Sequence, residues 1–88
     1  MRIQTTTRFN RDARRAAKRG KNLDKLWDVV EMLESRRPLE SRHRPHQLSG
    51  AWAHCWECHI EPDWILIWKA TNDTLILVRT GTHADLFG

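Results

Sequence analysis

The sequence predicts an α+β fold in the order β-α-α-β-β-β, an antiparallel sheet with a helical hairpin packed on one face. Three observations predict it. From Phe9 to Leu33 the apolar residues recur at helical spacing. After Gly50 the chain changes to three strand-like runs, "AWAHCWECHI", "WILIWKA" and "TLILVRT". Those runs are joined by "EPD" and "TND", connections that suit antiparallel hairpins.

Each element follows in order. "RIQTTT" reads as a first strand, rich in β-branched residues. Phe9, Ala13, Ala16, Ala17 and Gly20 then place one narrow apolar stripe on a very basic helix ending near Gly20. Asn22 is the expected N-cap of a second helix, with Leu23, Leu26, Trp27, Val30 and Leu33 on one face. Its outer face carries Asp24, Asp28, Glu31 and Glu34, so the two helices are expected to pair with complementary charge. Arg37-Pro38 stops the second helix, because the residue before proline avoids the helical region. Residues 36–50 lack a period and read as an ordered basic loop. The three strands follow, and "THADLFG" reads as a tail with one helical turn. The helical hairpin covers one sheet face in this scheme, and the other face is left free for a site.

The 88 residues are expected to form one domain across 1–88. A chain of that length buries only about 60–65% of its unfolded surface, so its core is modest. No apolar run near the start resembles a signal peptide, and "WILIW" is too short to cross a bilayer. A cytoplasmic protein with reduced thiols is therefore expected, with no membrane partner. The net charge of +4 is unevenly spread. Arg11, Arg14, Arg15, Lys18, Arg19 and Lys21 form one basic cluster, and Arg36, Arg37, Arg42 and Arg44 a second. Two such clusters in a short chain favour a polyanion or an acidic protein partner.

"CWECH", residues 55–59, spells C-x-x-C-H, the attachment sequence of c-type haem. The segment is strand-like, where residues of equal parity share a face. Cys55 and His59 then point one way and Cys58 the other. That divergence disfavours a zinc knuckle, which wants four converging ligands. No helix follows to support a thioredoxin-like pair. The expectation is no haem, no zinc, no metal and no other cofactor, with both cysteines acting as small hydrophobes.

The chemistry lies in the histidines instead. His46 sits where the loop meets the sheet, His59 and Asp63 at the first hairpin, and His83 just past the last strand. Each alone reads as a surface or core histidine. Together, strand ends can bring them to one edge. Two or three imidazoles with a carboxylate are what metal-free RNA cleavage needs. One group takes the 2′-hydroxyl proton and another protonates the leaving 5′-oxygen, and a pKa of about 6.5 makes both forms available. Arg79 is a candidate for stabilising charge on the phosphate. Trp64 or Phe87 is a candidate for stacking a base.

"PHQLSGAW", "CHIEPDWILIWK" and "VRTGTHADLFG" resemble the YafQ branch of the RelE-like toxins of bacterial type II toxin–antitoxin modules. The resemblance spans the chain and is densest from His46 to Gly88. It implies a RelE-like fold similar to small microbial ribonucleases. It also implies an endoribonuclease that enters the ribosomal A site and cuts messenger RNA. It assigns catalysis to His46, His59, Asp63 and His83, and places Trp64, Arg79 and Phe87 near the site. The implied roles are His83 as general acid, Asp63 or His46 as base or relay, and His59 on the scissile phosphate. The implied partners are a cognate antitoxin, the ribosome and mRNA. Two alternatives stand beside it: a non-enzymatic gyrase inhibitor of the ParE type, and a small basic RNA-binding module.

Overall fold

The computed structural model describes all 88 residues. Strand β1 (Arg2–Thr5) leads into helices α1 (Thr7–Lys18) and α2 (Leu23–Glu34). A 3-10 turn at Ser41–His43, the two-residue strand β2 (His46–Gln47) and a second turn at Gly50–Trp52 follow. Strands β3 (Trp56–Glu61), β4 (Trp64–Ala70) and β5 (Thr74–Gly81) come next, and helix α3 (His83–Phe87) closes the chain.

Helix α1 begins earlier than its apolar stripe because Thr6 caps it, its hydroxyl accepting from the Phe9 amide at 2.9 Å. The same hydroxyl donates to the Val78 carbonyl at 2.7 Å and so pins the helix start to β5. The helix closes at Gly20, which takes the left-handed conformation (φ +85°) that glycine alone adopts freely. Asn22 caps α2 as expected, accepting from the Asp24 amide at 3.0 Å. Within the α1 stripe Phe9, Ala13 and Ala16 are buried, whereas Ala17 and Gly20 are exposed.

The sheet order is β1-β5-β4-β3-β2. The β2–β3, β3–β4 and β4–β5 pairs are antiparallel, as hairpin-length connections require. The β1–β5 pair is parallel, which corrects the expectation of an antiparallel sheet throughout. Strand β2 runs against β3, β3 against β4 and β4 against β5, while β5 runs with β1. Strands β3 and β5 therefore both point along β1.

The helices bury Phe9, Leu26 and Val30 against Cys58, Trp64, Leu66, Trp68, Leu75 and Leu77 on one sheet face. Each fully buried side chain of this kind contributes about 1.5–3 kcal/mol, against roughly 0–1 kcal/mol for an exposed ion pair. Packing therefore holds the hairpin down. The charge pairing expected between the helices does not form. Their ion pairs instead reach outward, Arg19 to Asp85 on α3 and Lys25 to Glu61 on β3.

The opposite face is not free, which corrects a second expectation. Cys55, Ile65, Ile67 and Leu86 form a small core there, covered by Leu48 and Trp52. The "AWAHC" run is a turn, with Gly50 and His54 both in left-handed conformations, so β3 starts only at Trp56. What remains open is the sheet margin where β2, the β3–β4 turn and the start of α3 meet.

Candidate active site

Alternation along β3 puts Glu57 and His59 on one face and Cys58 on the other. A bulge between His59 and Glu61 then turns the strand into Pro62 and Asp63. Lys21 and Lys25 each reach Glu61 at 2.8 Å and hold that turn against the start of α2. They bring the Glu61 carboxyl down to about 2. His43, buried beneath the turn, donates from Nδ1 to the His59 carbonyl at 2.6 Å.

On the other side, β5 runs out at Gly81 and Thr82 caps α3. The cap is reciprocal: the Thr82 hydroxyl accepts from the Asp85 amide at 3.1 Å, and the Asp85 carboxylate accepts from the Thr82 amide at 3.0 Å. Arg19 clamps Asp85 at 2.6 Å. With the Thr82 amide, it holds that carboxyl far below its ordinary range. His83 is thus fixed at the first helical position. Its backbone amide and ring Nδ1 both donate to Asp63 Oδ1, at 3.0 and 2.9 Å. These two bonds, the backbone one first, lower the Asp63 carboxyl from its ordinary value.

The hydrogen bonds determine the imidazole tautomers, because a carbonyl or carboxylate oxygen only accepts. His83 carries its proton on Nδ1 and aims Nε2 outward. His59 donates from Nδ1 to the Pro62 carbonyl at 3.1 Å, so its Nε2 is the variable atom. The His59 and His83 rings lie 5.6 Å apart, and both are reachable from solvent. His46 lies on β2 opposite Glu57 and meets its Oε1 at 3.0 Å through Nε2. Glu57 Oε1 is 3.9 Å from His59 Nε2. His46, His59, Asp63 and His83 are therefore brought to one margin, as the sequence reading expects.

Two of the three supporting residues are elsewhere. Trp64 is 1% exposed and faces the helical core, its indole N–H donating to the Thr80 hydroxyl at 2.9 Å. It has no face to offer a base, because its position in β4 shares parity with Leu66 and Trp68. Arg79 is buried, with Nε and an Nη on the two oxygens of Asp12 at 2.6 and 3.2 Å. Its guanidinium is committed to that pair between α1 and β5, not to the histidines. Phe87 is where it was expected, 44% exposed and 6.1 Å from the His83 ring, backed edge-on by Trp52.

Arg11, Arg14, Arg15 and Lys18 on α1 and Arg19 at its C-cap are exposed, as are Arg36, Arg37, Arg42 and Arg44 in the loop after α2. Lys21 is half-buried on Glu61. A cleft of about 910 Å³ runs between α2 and the β3 turn, with Lys25, Arg42 and Arg44 at its wall and His59 and Asp63 at its end. Cys55 and Cys58 are buried on opposite faces. No three His, Cys, Asp or Glu side chains converge in a geometry that could hold a metal ion.

Glu57, His43, Glu61 and Asp85 are absent from the sequence reading. Glu57 was reachable by the parity rule, two residues before His59. The T-x-x-D spelling of Thr82–Asp85 signals its capping box. Nothing local marks His43 or Glu61, whose roles depend on the loop's return path.

Residues 1–88 match the family model described as the bacterial toxin of type II toxin–antitoxin system, YafQ. This chain belongs to that family. The mRNA interferase toxin YafQ of Escherichia coli strain K12 is 40% identical over 87 residues, 98% of this chain and 95% of that protein. A chain of the E. coli DinJ–YafQ toxin–antitoxin complex superposes with a TM-score of 0.90 at 40% identity, covering 98% of this chain and 96% of that one. A metal-bound toxin from Helicobacter pylori superposes with a TM-score of 0.93 at 35% identity, over 99% of each chain. The α+β fold of this YafQ-family toxin is thus the fold that the resemblance implied.

Proposed function

We propose that this chain, as one toxin domain over 1–88, is an mRNA interferase that cuts messages in the ribosomal A site without a metal ion. The observation that carries the reading is the His83–Asp63 pair facing His59 across 5.6 Å. Two imidazoles at that spacing, one charged and one neutral, supply an acid and a base on either side of a phosphodiester.

Asp63 holds the His83 ring through Nδ1 and leaves Nε2 as the atom from which a general acid would give its proton. Asp63 itself accepts two hydrogen bonds and is held acidic, so it suits orienting His83 better than taking a proton. The base is then an imidazole, His59 or His46. It removes the 2′-hydroxyl proton, the 2′-oxygen forms a bond to phosphorus, and the 5′-oxygen leaves with the proton of His83. A 2′,3′-cyclic phosphate results, which water opens to a 3′-phosphate. Phe87 offers an exposed ring beside His83 for base stacking. The basic face of α1 and residues 36–44 suit ribosomal RNA, and a cognate antitoxin is the expected inhibitor. The setting is the cytoplasm, and no helix is long and apolar enough to cross a membrane.

The test is a translated message probed for cuts with wild type and His83→Ala, in the presence of a chelator that removes transition metals but leaves magnesium for the ribosome. Cuts that survive the chelator and vanish in the variant support the reading. Cuts that vanish with the chelator point to a metal, as the metal-bound Helicobacter toxin would suggest.

A further inference from the structure

We infer that His43 is a positioning residue: from the loop after α2 it fixes the main chain of His59, and with it the place of that imidazole at the cleavage margin. The inference rests on the RNA-cleaving reading above and adds to it a residue that touches no substrate.

His43 is 4% exposed, and its ring makes one hydrogen bond, from Nδ1 to the His59 carbonyl at 2.6 Å. A carbonyl oxygen only accepts, so Nδ1 carries the proton. An apolar side chain would fill this space without needing a partner, whereas a buried imidazole is costly unless paired. The loop is shaped to deliver the ring. His43 ends the 3-10 turn Ser41–His43, its amide donating to the Glu40 carbonyl at 3.0 Å. Arg44 then takes a left-handed conformation (φ +47°), uncommon for a residue with a side chain. His43 is thus turned inward between two exposed arginines, Arg42 and Arg44.

The contact falls where the strand is least regular. The β3–β4 ladder shifts register between His59 and Glu61, so pairing with β4 leaves the peptide that follows His59 loosely specified. That peptide is planar, and the direction of its carbonyl sets the path of the chain through Ile60 and Glu61 to Pro62. The Pro62 carbonyl in turn accepts from His59 Nδ1 at 3.1 Å. His43 therefore completes a circuit: it holds the carbonyl, the carbonyl directs the turn, and the turn holds the His59 ring. Lys21 and Lys25 grip the same turn through Glu61, beyond the bulge, whereas His43 acts on His59 itself. The His83 ring stands only 5.6 Å across. A displacement of about 1 Å at such a site can cost roughly 10²-fold in rate.

The experiment compares the full chain of wild type with His43→Phe, which keeps a ring and loses the donor, and with His43→Asn, whose amide nitrogen stands near the place of Nδ1. In labelled wild type, NMR is expected to show a coupling across the hydrogen bond from the His43 Nδ1 nitrogen to the His59 carbonyl carbon. On translating ribosomes, His43→Phe should cut at least ~10-fold more slowly at saturation. Its half-saturating concentration should be unchanged, because Arg42 and Arg44 are intact. His43→Asn should recover part of the rate although it fills the space less well. Absence of the coupling in wild type overturns the contact. A folded His43→Phe that cuts like wild type, or rates that simply follow the melting temperatures, overturn the positioning role. Where His43→Phe does not fold, His43→Gln replaces it, since its amide nitrogen matches the outer Nε2 instead. His43→Asn should then be the faster of the two, and equal rates overturn the inference. A wild type that cuts no message overturns the parent reading and the positioning role with it, while the coupling still reports the contact.

Discussion

Asp63 and His83 are joined twice, and the double contact gives each residue a distinct predicted effect. His83→Ala removes the acid and should lower cleavage by about 10²–10⁴-fold. Asp63→Asn keeps the size but weakens the acceptor that orients the His83 ring and backbone, and should cost more than ~10-fold in cleavage rate. Trp64 and Arg79 make the opposite prediction. Trp64→Phe removes one buried hydrogen bond and should cost about 1 kcal/mol in a denaturant melt, with little loss of cleavage by the folded protein. Asp12→Ala strands the Arg79 guanidinium and should destabilise by about 3–5 kcal/mol. Cleavage lost in Trp64→Phe at full stability would restore the stacking role. That His46, His59, Asp63 and His83 meet at one margin was legible because each lies at or near a strand end, where antiparallel connections return the chain. Trp64 was not, because its direction is set by which β4 face meets α1, a tertiary fact. Arg79 read as free because its partner, Asp12, lies 67 residues away.

Helix α3 and the β3–β4 turn are the two elements that present the site, and each is tied to the helical hairpin by charge. Asp85→Ala removes both the cap of α3 and the clamp from Arg19. It should cost about 1 kcal/mol and slow cleavage by loosening His83, measured as a melting shift and a rate on the same preparation. The turn depends on Glu61, whose carboxyl sits near 2 in the folded chain against an ordinary 4.5. A depressed carboxyl stabilises the fold above its unfolded value and loses that effect as pH falls toward the folded one. The melting gap between wild type and Glu61→Gln should therefore be full at neutral pH and shrink from about pH 4.5 toward 2. The gap should be modest and salt-sensitive, since solvent screens the lysines. Element types and order were readable from periodicity and turn residues. The parallel β1–β5 pair was not, because it depends on how many times the chain reverses between them. Nor was the second small core, because Cys55 and Leu86 approach only once α3 folds back.

Across the whole molecule, the +4 charge is carried by the exposed basic face of α1 and by the loop after α2, and Lys25, Arg42 and Arg44 line the cleft that ends at His59 and Asp63. Several of these side chains also serve the fold, as Arg19 does on Asp85 and Lys21 on Glu61. Reversing Arg11 and Arg14, which have no carboxylate partner, should weaken ribosome binding and its salt dependence while leaving the melting temperature nearly unchanged. The C-x-x-C-H spelling does not bring its side chains to one point. Its cysteines are buried on opposite faces, and its last letter belongs to the site. The most direct measurement is the position and end chemistry of cuts on a translated message, compared between wild type and His83→Ala. Cuts within the A-site codon that leave a 2′,3′-cyclic or 3′-phosphate, and that disappear in the variant, are the predicted result. Cuts that leave a 3′-hydroxyl, or that persist undiminished in His83→Ala, would contradict it.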